Sequence, residues 1–257
     1  MPETTSRSSS TATTTGCQPT SSASARRPKA TAVRRPHRSR SRIGVGLAGG
    51  FYPAPHRYDL FLSAGCPRSL RVSITLDLLG LGETVATTLL THPAETPAGF
   101  AALRGAYEAT VHHYDGPLTV PALRDRWSGR VVSDHTPDIL RDLAGLFPGR
   151  DGTPLLDTPN LAPDIDALRD LLERHVTPAA QPSGRSAALS HLDRHLSGRP
   201  YVLGEALTAA DVDLWVALVH LGPVRAPRPY PRLGEYVRRL AGQPAFRGRS
   251  DAVPDAA

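Results

Sequence analysis

The chain has 257 residues, 40% hydrophobic but only 5% aromatic, with a formal net charge of +6, enough for one large or two small packed domains with cores of Leu, Val and Ala. The charge is uneven: residues 1–43 hold nine of the thirty basic residues and a single acid, Glu3, so this stretch carries +8 and the remainder −2, which excludes a specific nucleic-acid-binding domain with its positive face on the fold. Two cysteines, Cys17 and Cys66, are too few for a disulfide framework or a zinc site, and no stretch approaches the roughly 20 apolar residues that span a bilayer.

Residues 1–42 are mostly Ser, Thr, Ala and Arg and lack the large apolar side chains that offset the entropy of ordering. A disordered tail is expected over 1–43, and a short disordered end over 248–257. From Arg57 the pattern becomes regular. RYDLFLSA (57–64) has the length and content of a buried strand, and Cys66 to Leu79 carries Leu70, Ile74 and Leu78 at helical spacing. ETVATTLL (83–90) is a second strand, and FAALRGAYEA (100–109) a helical stretch. LTVPALRD (118–125) and RVVS (130–133) are short strands joined by the turn RWSG (126–129), which exposes Trp127. TPDILRDLAGLF (136–147) is then a helix, with Thr136 as N-cap and Pro137 at its first position. This order is that of a thioredoxin-like α/β half, expected over 44–148.

After Pro148 the strand signals disappear. Helical periodicity covers 164–176, 186–197, 208–221 and 232–242, which predicts an all-α domain over 149–247. The strongest local signal is LTAADVDLWVALVHL (207–221), where Thr208 and Asp211 form a capping-box-like pair and Trp215 faces the helix core. The capping role accounts for Asp211 without a catalytic one. His112-His113-Tyr114 lacks the three or four convergent ligands of a metal site.

Cys66 stands where the first strand ends and the first helix begins, followed by Pro67, which tolerates the missing N–H at that position. The open amides and the positive end of the dipole at a helix N-terminus stabilise a thiolate, and Arg68 and Arg71 add positive charge. The plainer reading of a single cysteine is a small buried hydrophobe. Val120-Pro121 tips the balance. Proline in a strand argues against the strand unless it is a cis-proline whose neighbour offers its backbone to a ligand, and the combination is that of a glutathione-transferase-type thiol site. In Cys66-Pro67-Arg68-Ser69, Ser69 stands where a dithiol oxidoreductase has its second cysteine. An outside thiol must therefore release any mixed disulfide on Cys66.

The chain resembles the glutathionyl-hydroquinone reductases, the xi class of glutathione transferases. RYDLFLSAGCPRSLR (57–71) is similar to the family's RYHLYVSLACPWAHR, and TVPALRDRWSGRVVSDHTPDIL (119–140) to its TVPVLWDKKTGTIVNNESSEII. YVLGEALTAADVDLWVALVHLGPV (201–224) is similar to FLFGDRLTEADIRLFTTLVRFDPV, and YPRLGEYVRRL (230–240) to YPNLWRYLRDL. The resemblance runs in order from about residue 51 to 240. It implies a thioredoxin-like domain followed by an all-helical domain with the active cleft between them, and dimerisation, while the scarcity of cysteine points to a reducing cytosol as the expected home. It implies Cys66 as nucleophile, with glutathione or another low-molecular-weight thiol as co-substrate and no metal. Arg68, Val120, Pro121, His135 and Thr136 are then the thiol-binding positions, and the other partner is a small aromatic conjugate.

The chain departs from the family at several of these positions. His135 replaces a glutamate that pairs with the thiol's ammonium group, leaving Asp134 or Asp138 as substitutes; Arg68 replaces an aromatic residue. The family's Tyr-x-x-His-Phe-Lys-Cys-Asn stretch is missing. The expected function is a thiol-dependent reductase of S-conjugated hydroquinones or mixed disulfides. The alternatives are a catalytically degenerate binding or scaffold protein of the same fold, and a basic-tailed interaction protein.

Overall fold

A computed structural model of the chain describes residues 39–44, 50–91, 93–147, 153–156, 159–221 and 229–249. Cys17, most of the expected basic tail and the last residues of the chain lie outside these.

The alternation of Tyr58-Asp59-Leu60-Phe61-Leu62 builds strand β1 (Tyr58–Ser63) and sends its side chains to two faces. Tyr58, Leu60 and Leu62 join a large core, whereas Phe61 joins a smaller one. Strand β1 pairs in parallel with β2 (Ala86–Leu90), Leu62 lying opposite Leu89, and antiparallel with β3 (Ala122–Asp125), Leu60 lying opposite Leu123. Strand β4 (Val131–Ser133) pairs antiparallel with β3, giving the order β2-β1-β3-β4. Three helices serve the sheet: α1 (Pro67–Leu78), α2 (Pro97–Thr110) and α3 (Thr136–Leu146). Leu103, Ala106 and Tyr107 of α2 close the smaller core, and Leu70, Val72, Ile74 and Ile139 of α1 and α3 close one side of the larger.

Helix α1 ends where the sequence supplies a glycine. Gly80 takes φ +63°, its amide bonds to Asp77 O at 3.1 Å, and Leu81 N bonds to Leu76 O at 2.9 Å. These are the two reversed bonds of a Schellman cap, which a side chain with a Cβ adopts only under strain.

Four helices follow among the described residues: α4 (Ala162–His175), α5 (Pro182–His195), α6 (Ala209–His220) and α7 (Pro231–Ala241). Residues 209–218 of α6 are buried all round, so it is the central helix, packed against α1, α4 and α7. Trp215, fully buried, meets Phe246 edge-on with ring centroids 5.2 Å apart, and its indole N–H donates to Val237 O at 3.3 Å. The start of α6 is locked by Asp211, which accepts from Thr208 N at 2.8 Å and from the Thr208 hydroxyl at 3.1 Å. Asp211 does more than the spacing foretells, because it also accepts from Val202 N and from the Tyr236 hydroxyl, both at 2.8 Å.

Both ends of the described chain differ from expectation. Residues 39–43, assigned by composition to the disordered tail, lie along the open edge of β4. Asp134 N donates to Ser39 O and Ser41 N to Val132 O, both at 3.0 Å; Ile43 is buried, and its amide donates to Asp142 Oδ2 at 2.9 Å. Arg42 Nε reaches Asp142 Oδ1 at 2.7 Å. Backbone pairing and carboxylates of α3 order this segment, a source of stability that composition does not record. At the other end Arg249, expected to be disordered, donates to the Ser73 hydroxyl at 2.7 Å and pairs with Asp77, both on α1. No helix among the described residues is long and apolar enough to cross a membrane.

Candidate functional site

Cys66 is the N-cap residue of α1, with extended backbone (φ −99°, ψ 117°), and Pro67 follows inside the helix. The first intrahelical bond runs from Leu70 N to Cys66 O at 2.9 Å, so the amides before it are the unpaired donors of the helix end. The thiol is free and half-buried, and its Sγ lies 3.8 Å from Val120 O. The Val120–Pro121 peptide bond is cis. The structure therefore brings together Cys66 and the Val-Pro step, which are 54 residues apart in sequence.

Ser69 is buried and its hydroxyl accepts from Ser63 N at 3.1 Å, tying the first turn of α1 to the end of β1. Arg71 was expected to add positive charge at the thiol. Instead its Nε pairs with Asp213 Oδ1 at 3.2 Å, and Arg169 Nε pairs with Asp213 Oδ2 at 2.7 Å. The charge of Arg71 is thus committed to a buried carboxylate of α6, in a triad joining α1, α4 and α6. Arg68 is exposed, and no hydrogen bond or ion pair holds it among the described residues.

Beside the N-terminus of α1 is a cavity of about 390 Å³. Arg68 and Arg71, Tyr114 and Thr119, the β4–α3 turn Asp134-His135-Thr136, and Arg169, Glu173 and Asp213 of the helical half all contribute to its wall. Cys66, Val120 and Pro121 are not part of this wall; Arg68 and Thr119, their near neighbours in sequence, are.

The turn differs from the sequence reading by one residue. His135, not Thr136, is the N-cap of α3, because Ile139 N makes the first helical bond to His135 O at 3.1 Å; Thr136 is already helical. The His135 ring faces Asp138 at 2.9 Å and Arg40 at 3.2 Å, and Arg40 Nε also reaches Asp138 Oδ2 at 3.2 Å. Of the two carboxylates suggested as substitutes at this turn, Asp138 is therefore engaged by the 39–43 segment and by His135. Asp134 is buried, and its Oδ2 accepts from the Tyr107 hydroxyl at 3.1 Å and the Thr119 hydroxyl at 3.2 Å. Burial and the nearby carboxylate push the Tyr107 phenol well up, so it remains a donor, despite the opposing pull of Thr119. Tyr107 stacks on Tyr114 with centroids 4.7 Å apart.

Asp213, Arg169, Tyr107 and Thr119 were not singled out from sequence. Asp213 alone carried a visible signal, an acid two positions after the capping Asp211 in an otherwise apolar helix. His112 and His113, with rings 3.8 Å apart, line a separate cavity of about 480 Å³ with Glu108 and Tyr114. Among the described residues no group of three or more His, Cys, Asp or Glu is placed to hold a metal ion.

Comparison with known proteins agrees with this geometry. Residues 65–146 match the family Glutathione S-transferase, N-terminal domain, and residues 179–239 match Glutathione S-transferase, C-terminal domain. The chain is 26% identical over 243 residues to glutathionyl-hydroquinone reductase PcpF of Sphingobium chlorophenolicum, covering 79% of this chain and 78% of that protein. It is 28% identical over 212 residues to glutathionyl-hydroquinone reductase YqjG of Escherichia coli K12, covering 68% of this chain and 63% of that one. Among solved structures, the xi glutathione S-transferase of Phanerochaete chrysosporium superposes with a TM-score of 0.67 at 26% identity, covering 85% of this chain and 89% of that one. With both domain families matched in order, the chain belongs to the glutathione transferases, and within them it is similar to the glutathionyl-hydroquinone reductases of the xi class.

Proposed function

We propose that the protein is a glutathione transferase-like thiol oxidoreductase that uses Cys66 as its single nucleophilic thiol, with glutathione or another low-molecular-weight thiol as co-substrate. The observation that carries this reading is the position of Cys66, capping α1 beside Val120 with Ser69 in place of a second thiol. The names of the two curated relatives support a glutathionyl conjugate of a hydroquinone as the substrate class.

In the first step the Cys66 thiolate attacks the sulfur of the conjugate. A Cys66–glutathionyl S–S bond forms and the sulfur–ring carbon bond breaks; the electron pair stays on the carbon, which takes a proton from water to give the hydroquinone. In the second step the thiolate of a second glutathione attacks the glutathionyl sulfur; the new S–S bond gives glutathione disulfide as the bond to Cys66 breaks and returns Cys66 as thiolate. The sulfurs are oxidised to a disulfide as the ring carbon is reduced. Amides at the start of α1 lie where charge returns to Cys66. By family resemblance Arg68, Val120, Pro121, His135 and Thr136 hold the thiol.

The test is intact-mass analysis of the full chain after incubation with glutathione disulfide, with peptide mapping to separate Cys66 from Cys17. One glutathionyl group on Cys66, removed by added glutathione and absent in Cys66→Ser, is the expected result. A Cys66 that takes no adduct would favour the second reading, a binding protein that has lost its chemistry. One observation speaks for that reading: Cys66 faces the Val120 carbonyl and lies outside the cavity wall.

A further inference from the structure

Where the end of α5 meets α7 there is a further cavity of about 160 Å³, which shares no residue with the cavity beside the N-terminus of α1. Its wall carries three arginines, Arg199 from the turn after α5 and Arg232 and Arg239 from α7, against one carboxylate, Glu235. All four residues are exposed and so open to a solute. The protein gives these guanidinium groups little to bond. Arg199 Nη1 lies 3.2 Å from His195 Nε2, but that nitrogen also lies 2.8 Å from Val202 O. A carbonyl only accepts, so Nε2 carries the proton and cannot accept from Arg199. Arg199 therefore faces a second donor and has no acceptor among the described residues. Arg232 reaches Asp193 Oδ2 only at 3.4 Å, while Asp193 Oδ1 accepts from Leu233 N at 3.0 Å. Arg239 is the fixed member, donating to Pro200 O and lying over the Tyr201 and Tyr236 rings, 5.7 Å from each centroid.

We propose that this cavity is a binding site for a phosphate group, either the free ion or the phosphoryl end of a small metabolite. Guanidinium groups are planar forks that bond oxyanions in pairs. Three of them offer more donors than the two oxygens of a carboxylate accept, whereas a tetrahedral phosphate presents three or four oxygens. The volume admits such a group but is well below the roughly 300 Å³ at which pockets begin to enclose a whole organic ligand, so the remainder of an ester projects into solvent. The charges have the required sign: three cations against Glu235 in the wall and Asp193 beside Arg232 leave an excess of positive charge. Arg199 gains most from an anion, which gives it the acceptor that the fold withholds. Glu235 opposes the anion, so its removal strengthens binding. The site is independent of the chemistry at Cys66.

Isothermal titration of the full chain with inorganic phosphate and with glycerol 2-phosphate tests this, at an ionic strength matched with chloride and at about pH 7.5, where both are mainly dianions. Saturable binding at millimolar concentration or below is expected. Arg199→Ala is expected to weaken it by about tenfold or more, the range of a charge-assisted hydrogen bond. Its melting temperature in phosphate-free buffer is expected to be unchanged, because the guanidinium bonds no acceptor of the protein. Arg238→Ala, which removes the same charge from an exposed position of α7 outside the wall, is expected to keep the native affinity. Glu235→Gln is expected to tighten binding by about two- to fivefold. Tighter binding of the ester identifies a phosphorylated metabolite as the occupant, and tighter binding of the ion identifies free phosphate. The proposal is overturned if neither ligand binds saturably, if Arg199→Ala and Arg238→Ala lose affinity equally, or if Glu235→Gln weakens binding. Native affinity in Arg199→Ala also overturns it, because the phosphate then sits elsewhere, as at Arg68.

Discussion

The Tyr236 hydroxyl donates to Asp211 Oδ1 at 2.8 Å, pinning α7 to the capping turn of α6. Burial raises the Asp211 carboxyl above its ordinary value, and bonds from Val202, Thr208 and Tyr236 only partly offset this. Asp211→Ala strands several buried donors at once and is expected to lower stability by about 3–5 kcal/mol. Tyr236→Phe, which removes one bond, is expected to cost about 1–2 kcal/mol. Urea unfolding of both variants checks the order. Similar losses from the two would show that Asp211 is not the hub of this junction.

Arg57 and Asp125 form a nearly fully buried pair, with Nε to Oδ1 at 2.7 Å and Nη2 to Oδ2 at 3.2 Å. The guanidinium also lies between Tyr52 and Trp127, 4.4 and 4.5 Å from their ring centroids. Burial pushes the Asp125 carboxyl up, but Arg57 and Ser128 outweigh it and hold it below its ordinary value. A carboxyl lowered in the folded state contributes stability that is complete above its unfolded value and is lost as pH falls through the folded one. The acid limb of the native stability curve is therefore expected to be steeper than that of Asp125→Asn, measured by thermal melts between about pH 3 and 6. Trp127→Ala is expected to leave the limb in place, because the ring does not titrate.

A chain beginning at residue 44 loses Arg42 and Ile43 as partners of Asp142, whose carboxylate is fully buried. Breaking one side of a buried charged arrangement costs about 3–5 kcal/mol. The shortened chain is expected to melt well below one beginning at residue 36. It is also expected to bind thiol more weakly, since Ser39 O holds the amide of Asp134. An equal melting temperature for the two chains would mean that the segment adds nothing to the fold.

Ser69→Cys places a second thiol one helical turn after Cys66. The glutathionyl adduct expected on the native chain should then fail to accumulate, replaced by an internal disulfide seen by mass as the loss of two hydrogens. Persistence of the adduct would show that the position tied to Ser63 N is too constrained to resolve it.

Much of the site can be read from local pattern. Alternation marks β1, the Cys-Pro step marks the opening of α1, and a spacing of three marks the Thr208–Asp211 pair. What escapes the sequence is non-local. Arg71 looks like a free cation beside the thiol until α6 folds against α1 and Asp213 takes its charge. Asp134 and Asp138 are equivalent candidates on paper; Arg40, nearly a hundred residues earlier, separates them. The cap of α3 falls on His135 because the backbone, not the preference of the Thr136 side chain, decides which carbonyl accepts the first bond.

Strand β4 has three residues and closes the sheet on one side. Its outward-facing backbone groups would be a template for another chain, the usual route by which exposed sheet edges aggregate. The bonds from Ser39 and Ser41 occupy that template, and arginines flank it at positions 40 and 42. A stretch with the composition of a linker thus serves as a guard for the sheet, and its removal exposes a surface prone to self-association.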